Sequence, residues 1–463
     1  MRYVSTRGEA PELGFEDVLL TGLARDGGLY VPATWPEFSS RDIRHLRGAS
    51  YEDVALAVIR PFIAGSIPES SLKAMIAGAY GIFGHPAVAP LKQLDDNQWL
   101  LELFHGPTLA FKDIAMQLLA RLMDAALARR KTRATIVGAT SGDTGGAAID
   151  AFKSSQHASI FILHPHGKVS EVQRRQMTTV DSPTVYNIAL EGNFDDCQAI
   201  VKALFNDHGF RDEVGLAGVN SINWARIMAQ IVYYVTAAVS LGSPDRPVSF
   251  CVPTGNFGDI FAGFVAKRMG VPIDRLIIAT NVNDILDRVL KTGRYDMRGV
   301  VASASPSMDI QISSNFERLL FEVHGRDPHA VRRMMQGLSQ SGAFTIGDRE
   351  LEQIRHEFDS AATSEEATAV TIRETLATTG ELLDPHTAVG YAAARKAAPS
   401  SSPMITLATA HPAKFPDAVE KASGIRPGLP RRLEHLLTAT ERFTVLPNNV
   451  DAVRDFIRQR QQP

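Results

Sequence analysis

"ATIVGATSGDTGGAAIDAFK", residues 134–153, runs from a short apolar stretch through a glycine-rich turn into a helix-forming segment. "ATIVGA" has the length and β-branched content of a buried strand, and "AAIDAFK" reads as a helix. The unit repeats along the chain. "ASIFIL", "TVYNIAL", "VSFCVP" and "RLIIAT" are strand candidates followed by a turn or helix, and "PMITLAT" is another near the C-terminus. Strands alternating with helices predict an α/β fold with mainly parallel sheets. Such sheets bind ligands where loops open at the C-terminal ends of their strands. Residues 1–97 read differently. They hold two helical patterns, "FEDVLLTGLA" and "YEDVALAVIRPFI", around the turn-rich "RDGGLYVPATWPEF". No internal repeat is evident, and the short "AAPSSSP" at 397–403 is expected to be an exposed loop.

A chain of 463 residues is long enough for two or three cores. Its 44% apolar and 21% charged content are those of an ordinary globular protein. A net charge of −3 gives no bulk attraction for nucleic acid, so none is expected as a partner. Cys197 and Cys251 form no CxxC pair, which argues against a metal site or disulfide framework and suits a reducing cytoplasm. The N-terminus "MRYVSTRGEAPELGFEDVL" lacks an apolar signal core, and no run of about 18 apolar residues predicts a membrane span.

"FHGPTLAFKDIA", residues 104–115, sets a lysine between apolar stretches. Gly106-Pro107 marks a turn and Thr108 suits a cap, predicting a helix from near Leu109. Lys112 then lies in the first turn, where a cation is unfavourable beside free N–H groups. A solvated lysine paired with Asp113 is the plain reading of that residue alone.

Three loops stand at strand ends. In "GATSGDTGGAA" (138–148), small residues permit close backbone approach, and Thr140, Ser141, Asp143 and Thr144 offer side chains at a helix start. No Gly-Lys-Ser/Thr follows, so it is not a nucleotide P-loop. In "PTGNFGDI" (253–260), Gly255 and Gly258 would let successive N–H groups face an anion. In "NSINWARIMAQ" (220–230), Asn220, Ser221 and Asn223 precede Arg226, whose fork suits a phosphate or carboxylate. Each loop also admits a capping role. A fourth stretch, "LATAHPAKFPDAV" (407–419), carries Thr409 and His411 just past a strand.

In order, "ELFHGPTLAFKD", "ATSGDTGGAA", "NSIN", "PTGNFGD", "ATNVND", "PSMDIQISSNFERLLFE" and "TAHPAKF" resemble the threonine synthase family across nearly the whole chain. "GLARDGGLYVP" resembles that family's N-terminal segment. These are pyridoxal 5′-phosphate (PLP) enzymes of the fold-type II group, with tryptophan synthase β and cysteine synthase. The resemblance implies two open, twisted, mainly parallel sheets flanked by helices, plus the N-terminal domain 1–97. It also implies a large PLP-binding domain of 98–130 and 236–463, and a small inserted α/β domain of 131–235. Lys112 corresponds to the lysine that carries the cofactor, and desolvation and the helix end would help it give up its proton.

By the same resemblance Gly255, Asn256, Phe257 and Gly258 grip the cofactor phosphate, and Thr409 stands by the pyridine nitrogen. Thr140, Ser141, Thr144, Asn220, Ser221 and Arg226 hold the substrate's carboxylate and phosphate. Asp143 is placed at the cofactor, where wider relatives carry an Asn that donates to the phenolic oxygen. An ionised carboxylate does not donate, so Asp143 is either protonated there or ionised and turned elsewhere. No second strong base is evident in these loops. The activity implied is a carbon–oxygen lyase reaction turning O-phospho-L-homoserine and water into L-threonine and phosphate, in a monomer or homodimer. The alternatives are a related phospho-lyase ending at a 2-oxo acid, and a non-catalytic binder of phosphorylated amino acids.

Overall fold

The computed structural model describes residues 1–397 and 400–460. Two parallel-type sheets organise it. In the larger, six strands lie in the order Phe358–Ala362, Ile273–Thr280, Val248–Pro253, Met404–Ala408, Gln98–Glu102, Leu91–Asp95. All neighbours run parallel except the last pair, an antiparallel hairpin. The smaller sheet orders Thr444–Pro447, Val185–Glu191, Ala158–Pro165, Ala134–Ala139 and Leu216–Ala217, all parallel. Strands such as Val248–Pro253 and Met404–Ala408 are buried throughout, as apolar runs covered by helices on both faces should be.

The expected domain limits shift, because pairing rather than sequence order decides where a strand belongs. The hairpin Leu91–Asp95/Gln98–Glu102 straddles the expected limit at 97/98. The helix Trp224–Ser240 straddles 235/236. Strand Thr444–Pro447, expected in the large unit, pairs with Val185–Glu191 of the smaller sheet, and Val453, Phe456 and Ile457 pack into its core. The N-terminal region also shares its apolar core with the larger sheet: Tyr3, Val54 and Phe62 join one cluster with Trp224 and Phe261.

Of "AAPSSSP", Ala398 and Pro399 lie outside the described residues. The remainder is not wholly exposed, since Ser402 is buried and the Ser400 and Ser402 carbonyls accept from Asn97 Nδ2 at 3.0 and 2.8 Å.

Candidate active site at the strand ends

Strands Gln98–Glu102 and Met404–Ala408 run side by side, so their C-terminal ends deliver residues 103–112 and 409–414 to one place. The Phe111 N–H donates to the Thr409 carbonyl (2.9 Å) and the His411 N–H to the Leu109 carbonyl (3.0 Å). The helix begins at Lys112, three residues later than expected, and Thr108 does not cap it. Leu109 adopts φ 62°, a turn that precludes helix there. Asp113 instead reaches back to Thr108, and Gly106 is required beneath it: a Cβ there would lie 2.5 Å from the Asp113 side chain.

Lys112 is not solvated, nor is Asp113 its partner. It is 8% exposed, and Nζ lies 3.3 Å from Asp143 Oδ2 and 3.1 Å from Ser307 Oγ. Burial lowers its pKa; Asp143 opposes that shift, while Lys414 and Arg226 add to it. Asp143 opens the helix Asp143–Phe152 beyond the strand Ala134–Ala139, so this contact joins the two sheets. Its Oδ1 faces Lys414 Nζ (3.0 Å) and Gln173 Nε2 (2.9 Å), and its Oδ2 also accepts from Ser307 Oγ (3.1 Å). Burial pushes this carboxyl up, but Lys414 and Lys112 overcome it and hold it well below the usual range. Both lysines therefore favour the ionised form of Asp143.

Lys414 brings a second buried amine to the site. It is wholly buried, donating to the Thr108 carbonyl (2.6 Å) and Gln176 Oε1 (2.9 Å) besides facing Asp143. Ser307, Gln173 and Lys414 had no sequence signal separating them from ordinary polar residues, although two of them lie in the family-like segments "PSMDIQISSNFERLLFE" and "TAHPAKF".

The loop after strand Val248–Pro253 turns tightly against the same region. Phe257 takes φ 62° and starts the helix Gly258–Arg268. A Cβ on Gly255 would sit 2.7 Å from the Ser307 carbonyl, and one on Gly258 would sit 3.2 Å from Asn315 Nδ2. Among the described residues, no protein acceptor takes the N–H groups of Gly255, Asn256, Phe257 or Gly258. Donors left free at a helix start are what an anionic phosphate requires.

Asn315 Nδ2 donates to the Ser221 carbonyl (3.2 Å) and the Asn256 carbonyl (3.0 Å), stapling the 220–223 loop to this one. Arg318 donates to Asn315 Oδ1 and to the carbonyls of Tyr30 and Ile222, so the N-terminal region braces the staple.

Arg226 is 4% exposed, which removes the solvated reading. It donates to the Val219 carbonyl at 3.3 Å, its Nε has no partner among the described residues, and burial lowers its pKa to about 10. A guanidinium buried without a carboxylate suits an incoming anion. Asn223 caps the helix, as expected of an Asn there. Asn220 closes its own turn through the Ile222 N–H. Thr140 Oγ1 accepts from Gly142 and Gly145 (both 2.9 Å), a capping task, while Ser141 is exposed and Thr144 half-buried beside it. Thr409 is buried next to the Lys112 turn.

A family model for the threonine synthase N terminus matches residues 2–80, one for pyridoxal-phosphate dependent enzymes 85–409, and one for the threonine synthase C-terminal part 387–457. The threonine synthase of Pseudomonas aeruginosa is 57% identical over 461 residues, 99% of this chain and 98% of that one. The crystal structure of PLP-bound threonine synthase from Brucella melitensis superposes with TM-score 0.99 at 61% identity, covering 100% of both chains. Yeast threonine synthase gives TM-score 0.94 at 40% identity, covering 99% of this chain and 98% of that one. The fold and site thus define a fold-type II PLP-dependent enzyme. Within that class the chain belongs to the threonine synthase family, PLP-dependent lyases of amino-acid biosynthesis that act on a small-molecule substrate. The buried amine of Lys112 and the free N–H groups at 255–258 fit that cofactor. No helix among the described residues is long and apolar enough to cross a membrane.

Proposed function

We propose that this chain converts O-phospho-L-homoserine and water into L-threonine and phosphate, with Lys112 as the residue that carries PLP and moves protons. The observation that carries this reading is the Lys112 amine itself, buried, depressed in pKa and set at the meeting of both sheets. When bound, PLP supplies an electron sink for charge developing next to the amino-acid carbon. Lys112 Nζ takes the proton from Cα and then one from Cβ. The Cγ–O bond to phosphate breaks, Cγ gains a proton, the oxygen of water bonds to Cβ as water gives up a proton, a proton returns to Cα, and the third proton leaves with the phosphate. A single amine serving several transfers must reach successive carbons, which suits a lysine stem on a first helical turn.

The N–H groups of Gly255, Asn256, Phe257 and Gly258 would hold the cofactor phosphate, and Thr409 would serve the pyridine nitrogen. Arg226 takes the substrate phosphate as the counter-ion it lacks in the protein, with Asn220, Ser221, Thr140, Ser141 and Thr144 holding the remaining polar groups. The three proposed units are an N-terminal region ending before Leu91, a large unit around the six-stranded sheet and a small unit around the five-stranded one, working as a monomer or homodimer. The free, buried thiols of Cys197 and Cys251 support a cytoplasmic setting, and no nucleic-acid or membrane partner is assigned. Chromatography of the product from O-phospho-L-homoserine tests the reading. Threonine and phosphate in equal amounts are expected; a 2-oxo acid, or no turnover, overturns it.

A further inference from the structure

Asp143 lies between two buried ammonium groups, and it is not shared equally. Lys414 Nζ has three acceptors, Thr108 O at 2.6 Å, Gln176 Oε1 at 2.9 Å and Asp143 Oδ1 at 3.0 Å. An ammonium has three N–H bonds, so its capacity is used in full. Lys112 has only the longer contacts to Asp143 Oδ2 (3.3 Å) and Ser307 Oγ (3.1 Å), with the Phe111 ring 5.4 Å from Nζ. Two cations thus compete for one carboxylate, and Lys414 is the better held of the two.

We propose that Lys414 is the positioning residue of this site: by occupying one oxygen of Asp143 it leaves Lys112 as the cation of the triad that gives up its proton. The inference rests on Lys112 carrying the cofactor. Lys414 acts through Asp143 and across space, and touches neither cofactor nor substrate.

Asp113 also feels Lys414, which lowers its carboxyl pKa, and His386 adds to the pull that keeps Asp143 low. From the helix Glu171–Thr178, Gln173 donates to Asp143 Oδ1 (2.9 Å) and adds no charge. Ser307 donates to Oδ2, and its N–H donates to His386 Nε2 (3.2 Å), whose Nδ1 faces Asp384 Oδ1 (2.8 Å). From the helix Trp224–Ser240, Arg226 adds a second repelling charge against Lys112. Asp143 is therefore the counter-ion of Lys112, and Lys414 is what dilutes it.

The test is a pH titration of the visible absorbance of the bound cofactor in four cofactor-loaded proteins: wild type, Lys414→Met, Asp143→Asn and the double variant. Lys414→Met leaves Asp143 to Lys112 alone and raises the midpoint, by about one to three pH units for a charge at this range. Asp143→Asn leaves Lys414 uncompensated and lowers it. The double variant returns near wild type, because the two charges cancel. An unmoved midpoint in Lys414→Met with its visible band intact, or both single variants shifting in one direction, overturns the proposal. Should Lys414→Met not fold, Lys414→Gln keeps a donor for Thr108 and must raise the midpoint, while Asp143→Asn must still lower it; failure of either overturns it. Borohydride labelling of wild type separates the two readings. A label on another lysine removes the underlying assignment, whereas a label on Lys112 with unmoved midpoints removes only the role of Lys414.

Discussion

Asp113 accepts both the Thr108 N–H, at 2.7 Å, and the Thr108 hydroxyl, at 2.6 Å, on a carboxylate with no exposure to solvent. This pair fixes the turn that delivers Lys112, and it has a consequence for stability. Burial raises the Asp113 carboxyl from 3.8 to about 7, against the hydrogen bonds from Thr108 that lower it. Between those values the folded chain binds more protons than the unfolded one, so stability from this group is greatest at low pH and falls as pH rises. Asp113→Asn keeps the shape and removes the titration. The urea-unfolding stability of wild type relative to Asp113→Asn should drop by up to about 1.4 kcal/mol per unit from pH 5 to pH 7. A difference that stays constant over that range dismisses the effect.

The alternation of strand and helix, the glycine loops and Lys112 were readable in the sequence because each is a local pattern. What holds Lys112 was not. Lys414 and Thr108 meet across 306 residues, and Lys414 and Gln176 across 238, distances at which no periodicity speaks. Thr108 looked like a cap, but its hydroxyl is taken by Asp113, and only the left-handed turn at Leu109 explains why the helix starts late. Strand Thr444–Pro447 carries no continuous apolar run and is half-buried at most. Its place at the edge of the smaller sheet comes from its partner, not from its own residues.

Lys112→Ala should lose at least about a thousandfold in kcat, the upper range for a positioned acid–base group, while still binding cofactor without a covalent bond. Borohydride followed by peptide mapping should place the label of wild type on Lys112 and find none in the variant. Near-normal turnover of Lys112→Ala would show that another group moves the protons.

Two glycines of the phosphate loop should differ in how much they tolerate a methyl group. A Cβ on Gly255 meets the backbone carbonyl of Ser307 at 2.7 Å, and backbone yields poorly. A Cβ on Gly258 meets the Asn315 amide at 3.2 Å, a side chain that shifts by a few tenths of an ångström. Gly255→Ala should weaken cofactor binding about tenfold or more, equal to roughly 1.4 kcal/mol, and Gly258→Ala by less. Titrating cofactor-free protein with PLP by absorbance measures both. Equal affinities for the two variants would mean that Ser307 moves freely.

The role proposed for Arg226 is the choice of a phosphorylated substrate. Its guanidinium is buried and, among the described residues, its Nε is unpartnered and no carboxylate neutralises it. In the proposed reading the substrate supplies the anion that offsets that cost. Arg grips two phosphate oxygens at once, whereas Lys presents one compact charge on a different stem. Removing one partner of a desolvated charged pair costs about 2–5 kcal/mol, or roughly 30- to several-thousand-fold in kcat/KM. Arg226→Ala should lose activity on O-phospho-L-homoserine by that order while keeping the cofactor spectrum. It should also unfold no more easily than wild type, since an uncompensated buried charge has gone. Arg226→Lys should recover only part of the activity. The pairing of lower kcat/KM with unchanged or higher stability is what distinguishes an anion-binding arginine from a structural one: a variant that loses stability and activity together would make Arg226 a brace for the Val219 carbonyl and not a phosphate ligand.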